Sequence, residues 1–168
     1  MNSELEKVLD RIVNGFLPFL NQSEEQYFSQ IAGLQEEKKK SLSRYRNWDW
    51  FQGVGLYGLF QAFCQTGKKR YKEILLSYYE DRISEGLPLK NINTVCPMLV
   101  LCRLAQEEKK REWIPLIEEW AWWLMNEAPR TEEGGLQHIT AEADNEGQLW
   151  DDTLFMAVLF LAEAGTLL

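Results

Sequence analysis

Apolar residues recur at helical spacing along most of the chain, and glycines close the runs. A first helix is predicted over residues 3–20, with Ser3 as its N-cap, and residues 21–47 are more polar and predict a shorter helix and a loop. A helix over residues 50–65 is predicted to end at Thr66-Gly67, and its return helix over residues 68–85 at Gly86. Together these two runs predict a helical hairpin.

A second hairpin follows the loop of residues 87–93. Its first helix is predicted to begin at Thr94 or Pro97 and to reach residue 106, and its partner covers residues 109–126, closed by Pro129. The basic corners of the two hairpins, at residues 67–71 and 108–112, lie about 40 residues apart, a period typical of helical solenoids and toroids. A third unit opens with a helix over residues 151–164, stopped by Gly165.

These runs contain no strand signal of any weight, so the predicted fold class is all-α. We expect residues 1–168 to form one all-α domain. Neighbouring helices are needed to cover the apolar faces of such an array. The last helix is therefore expected to leave an open apolar edge, which makes self-association an expected property; its residues are Val158, Leu159, Phe160, Leu161, Leu167 and Leu168.

Composition excludes several classes of function. The net charge of −8 argues against a nucleic-acid partner, and no apolar run is long enough to span a membrane. The N-terminus does not resemble a signal peptide, so the three cysteines (Cys64, Cys96 and Cys102) are interpreted as reduced thiols and the protein as cytoplasmic. With His138 as the only histidine, zinc sites with several histidine ligands are excluded.

Three segments contain residues that a helical array does not need. In the first, residues 47–58, glycines 53, 55 and 58 weaken a helix and indicate either close helix packing or close approach of a ligand. The second is the long loop of residues 129–148, which is either a mobile surface loop or a functional one. It carries hydrogen-bonding side chains suited to hydroxyls and carboxylates, among them Arg130 and His138.

The third segment, residues 148–156, places Asp151 and Asp152 at a helix start. Such a pair is ordinarily a cap and a complement to the helix dipole. The alternative is that Asp151 caps the helix while Asp152 points inward as a general acid. A general acid must keep its proton near neutral pH, so this alternative requires burial of Asp152 by Trp150, Phe155 and Met156.

Together the segments resemble a known family. Residues 50–58 (WFQGVGLYG), 87–94 (LPLKNINT), 129–131 (PRT) and 149–156 (LWDDTLFM) occur in the order and with the spacing of the unsaturated rhamnogalacturonyl hydrolases, relatives of the unsaturated glucuronyl hydrolases. The resemblance covers roughly residues 45–165, and its last segment is the most specific. It implies helical hairpins that form part, about half, of an (α/α)6 toroid.

The resemblance also implies an oligosaccharide substrate that ends in a Δ4,5-unsaturated uronic acid. Asp152 matches the family's catalytic aspartate, which protonates the C4=C5 enol ether before water adds at C5. The candidate substrate-binding residues are Trp50, Asn93, Arg130, His138 and Trp150. No metal and no organic cofactor is implied.

Two departures from the family pattern shape the expectation. Relatives carry a second carboxylate after the Leu-Pro loop, where Asn93 stands here. A complete toroid of twelve helices needs well over the 168 residues present, so we expect the N-terminal part of such an enzyme, incomplete or inactive alone. The alternative function is a non-catalytic helical-repeat module that binds carbohydrate or protein.

Overall fold

The regular elements of the chain are helices. A computed structural model describes residues 3–29 and 35–168 and is 71% helical; within those ranges it contains no strand, only an isolated bridge between Arg130 and Leu136. The helices are α1 (Ser3–Phe16), α2 (Glu24–Ser29), α3 (Glu36–Leu42), α4 (Trp50–Thr66), α5 (Lys69–Glu85), α6 (Ile92–Val95), α7 (Met98–Glu108), α8 (Ile114–Asn126) and α9 (Leu159–Leu167). Short 3₁₀ turns follow α1 and α3 and precede α8, and a π-helical turn (Leu154–Val158) leads into α9.

The first hairpin has the ends that its sequence predicts. Asp49 and Gln52 form a reciprocal capping box at the start of α4, which satisfies backbone N–H groups that would otherwise lack partners. Gly67 ends the helix with a left-handed φ of 67°, a conformation that glycine adopts without strain. The predicted boundaries of α4 and α5 are therefore confirmed to within about one residue.

Helix α7 lies at the centre of the array. It packs against α4 on one side and α9 on the other, while α5 pairs with α4 and α8 contacts both α7 and α9. Five consecutive residues at its start are buried, from Met98 to Cys102, which is typical of a helix surrounded by neighbours. The core thus forms around a row of α4, α7 and α9. No helix in residues 3–29 and 35–168 is both long and apolar enough to cross a membrane.

Two regions differ from their predicted form. The polar region holds two short helices, α2 and α3, where one was predicted, and residues 30–34 of that region lie outside the described residues. Helix α1 ends at Phe16 in a 3₁₀ turn rather than continuing to residue 20. Of its predicted apolar face, Val13 is buried, but Leu5 and Ile12 are 59% and 62% exposed because α4 covers only part of that face.

The last helix also departs from prediction. Gly165 does not stop it, since α9 continues to Leu167. A glycine in a helix costs only about 1 kcal/mol relative to alanine. Burial of Phe160 and Ala164 and the ion pair between Arg103 and Glu163 outweigh that cost. Among the residues predicted at the open edge, Phe160 is fully buried.

Close packing accounts for two of the three glycines near the start of α4. A Cβ on Gly53 would lie 2.4 Å from Sγ and 2.8 Å from the backbone carbon of Cys96. A Cβ on Gly55 would overlap the ring of Phe16, whereas one on Gly58 would meet no atom within 4 Å. The packing interpretation therefore applies to Gly53 and Gly55, and none of the three lines the cavity described below.

We expect Gly53→Ala to lower the free energy of unfolding by about 1–3 kcal/mol, because the methyl group overlaps a backbone that cannot easily move. Gly58→Ala in the same helix is the matched control, and we expect it to raise that free energy by roughly 0.5–1 kcal/mol. Urea unfolding followed by circular dichroism measures both. Equal effects of the two substitutions would contradict the close contact at Gly53.

Candidate active site

One cavity collects side chains from all three segments singled out in the sequence. It has a volume of about 570 Å³ and lies where the start of α4, helix α6, the loop after α8 and the π-helical turn converge. Its lining residues are Trp50, Val54, Asn93, His138, Thr140, Glu142, Ala143, Asn145, Trp150, Asp152, Phe155 and Met156. Five of the six predicted site residues therefore share one cavity.

The long loop is held in place by backbone hydrogen bonds. The N–H of His138 donates to the carbonyl of Gln148 (3.0 Å), and the Asn145 side chain donates to the carbonyl of His138 (2.9 Å). The N–H of Ile92, at the start of α6, donates to the carbonyl of Ile139 (3.1 Å). These bonds fix the loop across α6 and place its polar side chains over the cavity. This supports the functional interpretation of the loop over that of a mobile surface segment.

Asp152 and His138 form the polar centre of the site. Oδ1 of Asp152 lies 3.4 Å from Nδ1 of His138, which is also 3.2 Å from Oγ1 of Thr153. The imidazole is buried and stacks on the indole of Trp150, with ring centroids 4.2 Å apart and planes 4° from parallel. Stacking and the Thr153 contact hold the ring in one orientation beside the carboxylate.

The Asp152 side chain is only partly enclosed. It is 42% exposed and lines the cavity, while Oδ1 is buried and forms no hydrogen bond within residues 3–29 and 35–168. The expected capping role of Asp151 is wrong. The residue that precedes the π-helical turn is Thr153, which makes no side-chain cap bond because its hydroxyl faces His138. One oxygen of Asp152 is therefore buried while the side chain as a whole is partly exposed, and its role as a general acid stays a prediction.

Two indoles present open faces at the cavity. The Trp50 and Trp150 side chains are 44% and 45% exposed, although tryptophan is ordinarily well buried. Exposed aromatic rings bury a large area when a sugar stacks on them. The cavity lining thus combines two partly exposed indoles with polar side chains that can form hydrogen bonds.

Arg130 lies apart from this cavity. Its guanidinium donates to the carbonyls of Leu124, Met125 and Gly134, at 3.2, 3.2 and 3.3 Å. The first two belong to the last turn of α8, so Arg130 closes that helix end and fixes the turn that follows. Arg130 does not line the cavity, so its role in substrate binding stays a prediction.

Asp49 is a site residue that the sequence reasoning missed. Its carboxylate accepts a hydrogen bond from the N–H of Trp50 (2.7 Å) and interacts with the side chain of Asn93, so it touches two residues that line the cavity. Burial raises the pKa of Asp49 to about 6, and the nearby carboxylate of Glu142 adds to the rise. The bonds from Trp50 and Asn93 act in the opposite direction but are weaker.

An aspartate between two tryptophans at a helix start was the available signal for Asp49. Asp49 therefore adds a carboxyl beside the cavity that Asp152 and Glu142 line, next to the asparagine that stands at the position of the family's second carboxylate.

The cavity thus brings together a carboxylate, an imidazole and two indoles on an array of helical hairpins. The sequence profile of Glycosyl Hydrolase Family 88 matches residues 23–168, and the chain belongs to this family. The unsaturated rhamnogalacturonyl hydrolase YesR of Bacillus subtilis (strain 168) is 33% identical over 120 residues, which cover 70% of this chain and 35% of the relative.

Two solved structures share the fold. A possible member of the GH105 family from Salmonella enterica subsp. enterica serovar Paratyphi A str. ATCC 9150 has a TM-score of 0.82 and 35% identity, and the match covers 98% of this chain and 42% of that chain. Its counterpart from Klebsiella pneumoniae subsp. pneumoniae MGH 78578 has a TM-score of 0.81 and 36% identity, covering 99% and 43%. The chain spans less than half the length of each relative.

These matches confirm the predicted fold class and family. The helical hairpins form part of an (α/α)6 toroid, and the family is one of unsaturated glycosidases. The sequence resemblance that pointed to this family was therefore sound for both fold and class of enzyme.

The raised pKa of Asp49 predicts a pH-dependent stability. The folded chain binds this proton more strongly than the unfolded chain, where an aspartate has its ordinary pKa of 3.8. The contribution of Asp49 protonation to the free energy of unfolding is therefore full below about pH 4, and it is lost as the pH rises through 6. Asp49→Asn keeps a capping side chain without a titrating group.

Relative to Asp49→Asn, the unchanged chain should lose on the order of 2 kcal/mol of unfolding free energy between pH 4 and pH 7. Denaturant titrations at several pH values measure this difference. Asp81→Asn, at an exposed position on α5, is the control and should leave the pH dependence as it is. If the unfolding free energies of the unchanged chain and of Asp49→Asn changed in parallel with pH, the folded chain would not bind the Asp49 proton more strongly than the unfolded chain does.

Proposed function

We propose that this chain carries the acid side of a glycosidase site for oligosaccharides that end in a Δ4,5-unsaturated uronic acid, of the rhamnogalacturonan type. The observation that supports it most is the placement of Asp152 in one cavity with an oriented imidazole and two exposed indoles. The family and the activity for which the Bacillus subtilis relative is named point to the same chemistry.

The proposed reaction is hydration of a vinyl ether. Asp152 gives its proton to C4 of the C4=C5 bond, which leaves positive charge at C5 shared with the ring oxygen. Water adds at C5 and returns a proton to the Asp152 carboxylate, so the aspartic acid is regenerated. The resulting hemiketal opens, and the hemiacetal at C1 then releases the next sugar as an alcohol. The overall reaction consumes one molecule of water and no other reactant.

The neighbours of Asp152 have proposed supporting roles. His138 lies against Oδ1 of Asp152 and orients that carboxyl towards the cavity. Trp50 and Trp150 bind sugar rings by stacking, and Asn93 orients a hydroxyl group or the attacking water. Asp49, adjacent to Asn93, fixes the orientation of that amide.

The extent of the activity is also part of the proposal. We regard residues 1–168 as one all-α domain that binds the saccharide but turns it over slowly. Asp152 is 42% exposed, so water competes for its proton, and an amide occupies the position of the second carboxylate. A cytoplasmic location stays a prediction, and the net charge of −8 supports the expectation that nucleic acid is not a partner.

A carbohydrate-binding module without turnover is the second candidate. The open faces of Trp50 and Trp150 favour it, since stacking gives binding without any chemistry. The two candidates differ in what happens to the double bond of a bound unsaturated saccharide. Hydration removes its near-ultraviolet absorbance, whereas binding leaves the absorbance in place.

We expect the chain to remove the absorbance of an unsaturated galacturonyl-rhamnose disaccharide slowly, and Asp152→Asn to abolish this loss by at least about a hundredfold. Asp151→Asn, at the adjacent exposed position, is the matched control and should act like the unchanged chain. Calorimetry should show that Asp152→Asn still binds the disaccharide. Binding without absorbance loss by the unchanged chain would favour the module, and equal loss by Asp152→Asn would rule out Asp152 as the acid.

Self-association is proposed through the apolar edge beside α9. Leu154, Val158, Leu159 and Leu168 are 64%, 41%, 40% and 56% exposed there. Exposed apolar residues grouped in this way favour contact with another copy. Sedimentation velocity should show concentration-dependent dimers that a Leu154→Glu, Val158→Glu double variant converts to monomers. A monomer at all concentrations would refute this part of the proposal.

A further inference from the structure

A second cavity, which shares no residue with the candidate active site, is lined by three arginines. We call it the arginine cleft. It has a volume of about 370 Å³ and lies between the end of α5, the loop that follows, and the segment that precedes α4. Its lining residues are Arg44, Arg46, Asn47, Trp48, Arg82, Glu85, Gly86, Leu87, Pro88 and Leu89.

Arg82 is the buried cation of this cleft. It is only 8% exposed, and one nitrogen, Nη2, donates to Oε1 of Glu85 at 2.8 Å. Nε is buried and has no hydrogen-bond partner among the residues that the structure describes. A guanidinium has five N–H donors, and a buried cation with few partners is costly. The single glutamate, itself 59% exposed, leaves part of this charge uncompensated.

The other two arginines add positive charge with little compensation. Arg46 donates from Nε to the carbonyl of Gln22 (3.1 Å) and from Nη1 to the carbonyl of Ser43 (3.0 Å). Those bonds hold the side chain in place, and Nη1 forms an ion pair with Oε1 of Glu24 at 3.8 Å, which compensates its charge only weakly because Glu24 is 63% exposed. Arg44 is exposed at the mouth of the cleft.

The remaining walls strengthen the field of these cations. Trp48 is almost fully buried, and Leu87, Pro88 and Leu89 form an apolar side. Apolar walls lower the local dielectric constant, which strengthens charge interactions within a cleft. Glu85 is the one acidic side chain among the lining residues. A chain of net charge −8 thus contains a local site with three positive charges against one negative charge.

We propose that the arginine cleft binds an oxyanion, the carboxylate of an acidic sugar or an inorganic phosphate. The anion lies against the Arg82 guanidinium on the side away from Glu85, with Arg44 and Arg46 as further donors. Arginine pairs with carboxylate and phosphate through parallel N–H donors, which favours these anions over chloride. The inference does not depend on the proposed function of the other cavity.

The test titrates the 168-residue chain with galacturonate, with inorganic phosphate and with galactose, at low ionic strength. Heteronuclear NMR follows the indole N–H of Trp48, which lines the cleft and donates to the carbonyl of Thr94 at 2.9 Å. We expect galacturonate, phosphate or both to shift this signal saturably, and neutral galactose to leave it in place. Preference for galacturonate identifies an acidic saccharide as the source, and preference for phosphate identifies the inorganic anion.

Two variants connect the binding to the cleft in opposite directions. Glu85→Gln removes the competing carboxylate and should tighten anion binding by about threefold to fivefold, while Arg44→Gln should weaken it by a similar factor. Both positions are exposed, so the fold should tolerate the changes. Glu80→Gln on the same helix is the matched control, because Glu80 pairs with Lys110 outside the cleft. Unchanged affinity in both cleft variants, an equal shift with galactose, or no saturable shift with either anion would overturn the proposal.

Discussion

The close approach of α4 to the corner between α6 and α7 is the contact on which the rest of the structure depends. Gly53 lies directly against Cys96, leaving no room for a side chain. Three buried donors hold this corner and the segment that precedes α4. The indole of Trp48 donates to the carbonyl of Thr94 (2.9 Å), and the hydroxyls of Tyr78 and Tyr79 donate to backbone carbonyls at 2.6 and 2.7 Å. Buried polar groups paired in this way admit one arrangement of the helices.

That arrangement creates the site as a consequence of packing. With α4 seated on α6, Trp50 and Asn93 meet at one end of the helices, and Asp49 lies half-buried beside them. The loop after α8 then crosses α6 and brings His138 to Asp152. The functional side chains come from four separate segments, so loosening the corner would separate these segments.

Much of the fold could be predicted from the sequence, because the residues that end a helix lie at that helix end in the sequence. Gly67 ends α4 through its own backbone conformation, and the predicted bounds of α4 and α5 hold to about one residue. The prediction that Gly165 stops the last helix was wrong, since the burial of Phe160 and Ala164 against neighbours is not visible in local sequence. The same holds for the polar region, where two short helices replace one.

For the candidate site too, some features could be predicted from the sequence, and others depended on the tertiary structure. Sequence by itself determined the family, the hairpin array and the residue types available for chemistry, because motif spacing and helical periodicity are properties of neighbouring positions. Only the tertiary structure decided that Arg130 closes a helix end, that Asp49 lies half-buried next to Asn93, and that His138 stacks on Trp150 beside Asp152. Burial and pairing depend on residues far apart in the chain, and these determine the charge and orientation of a side chain.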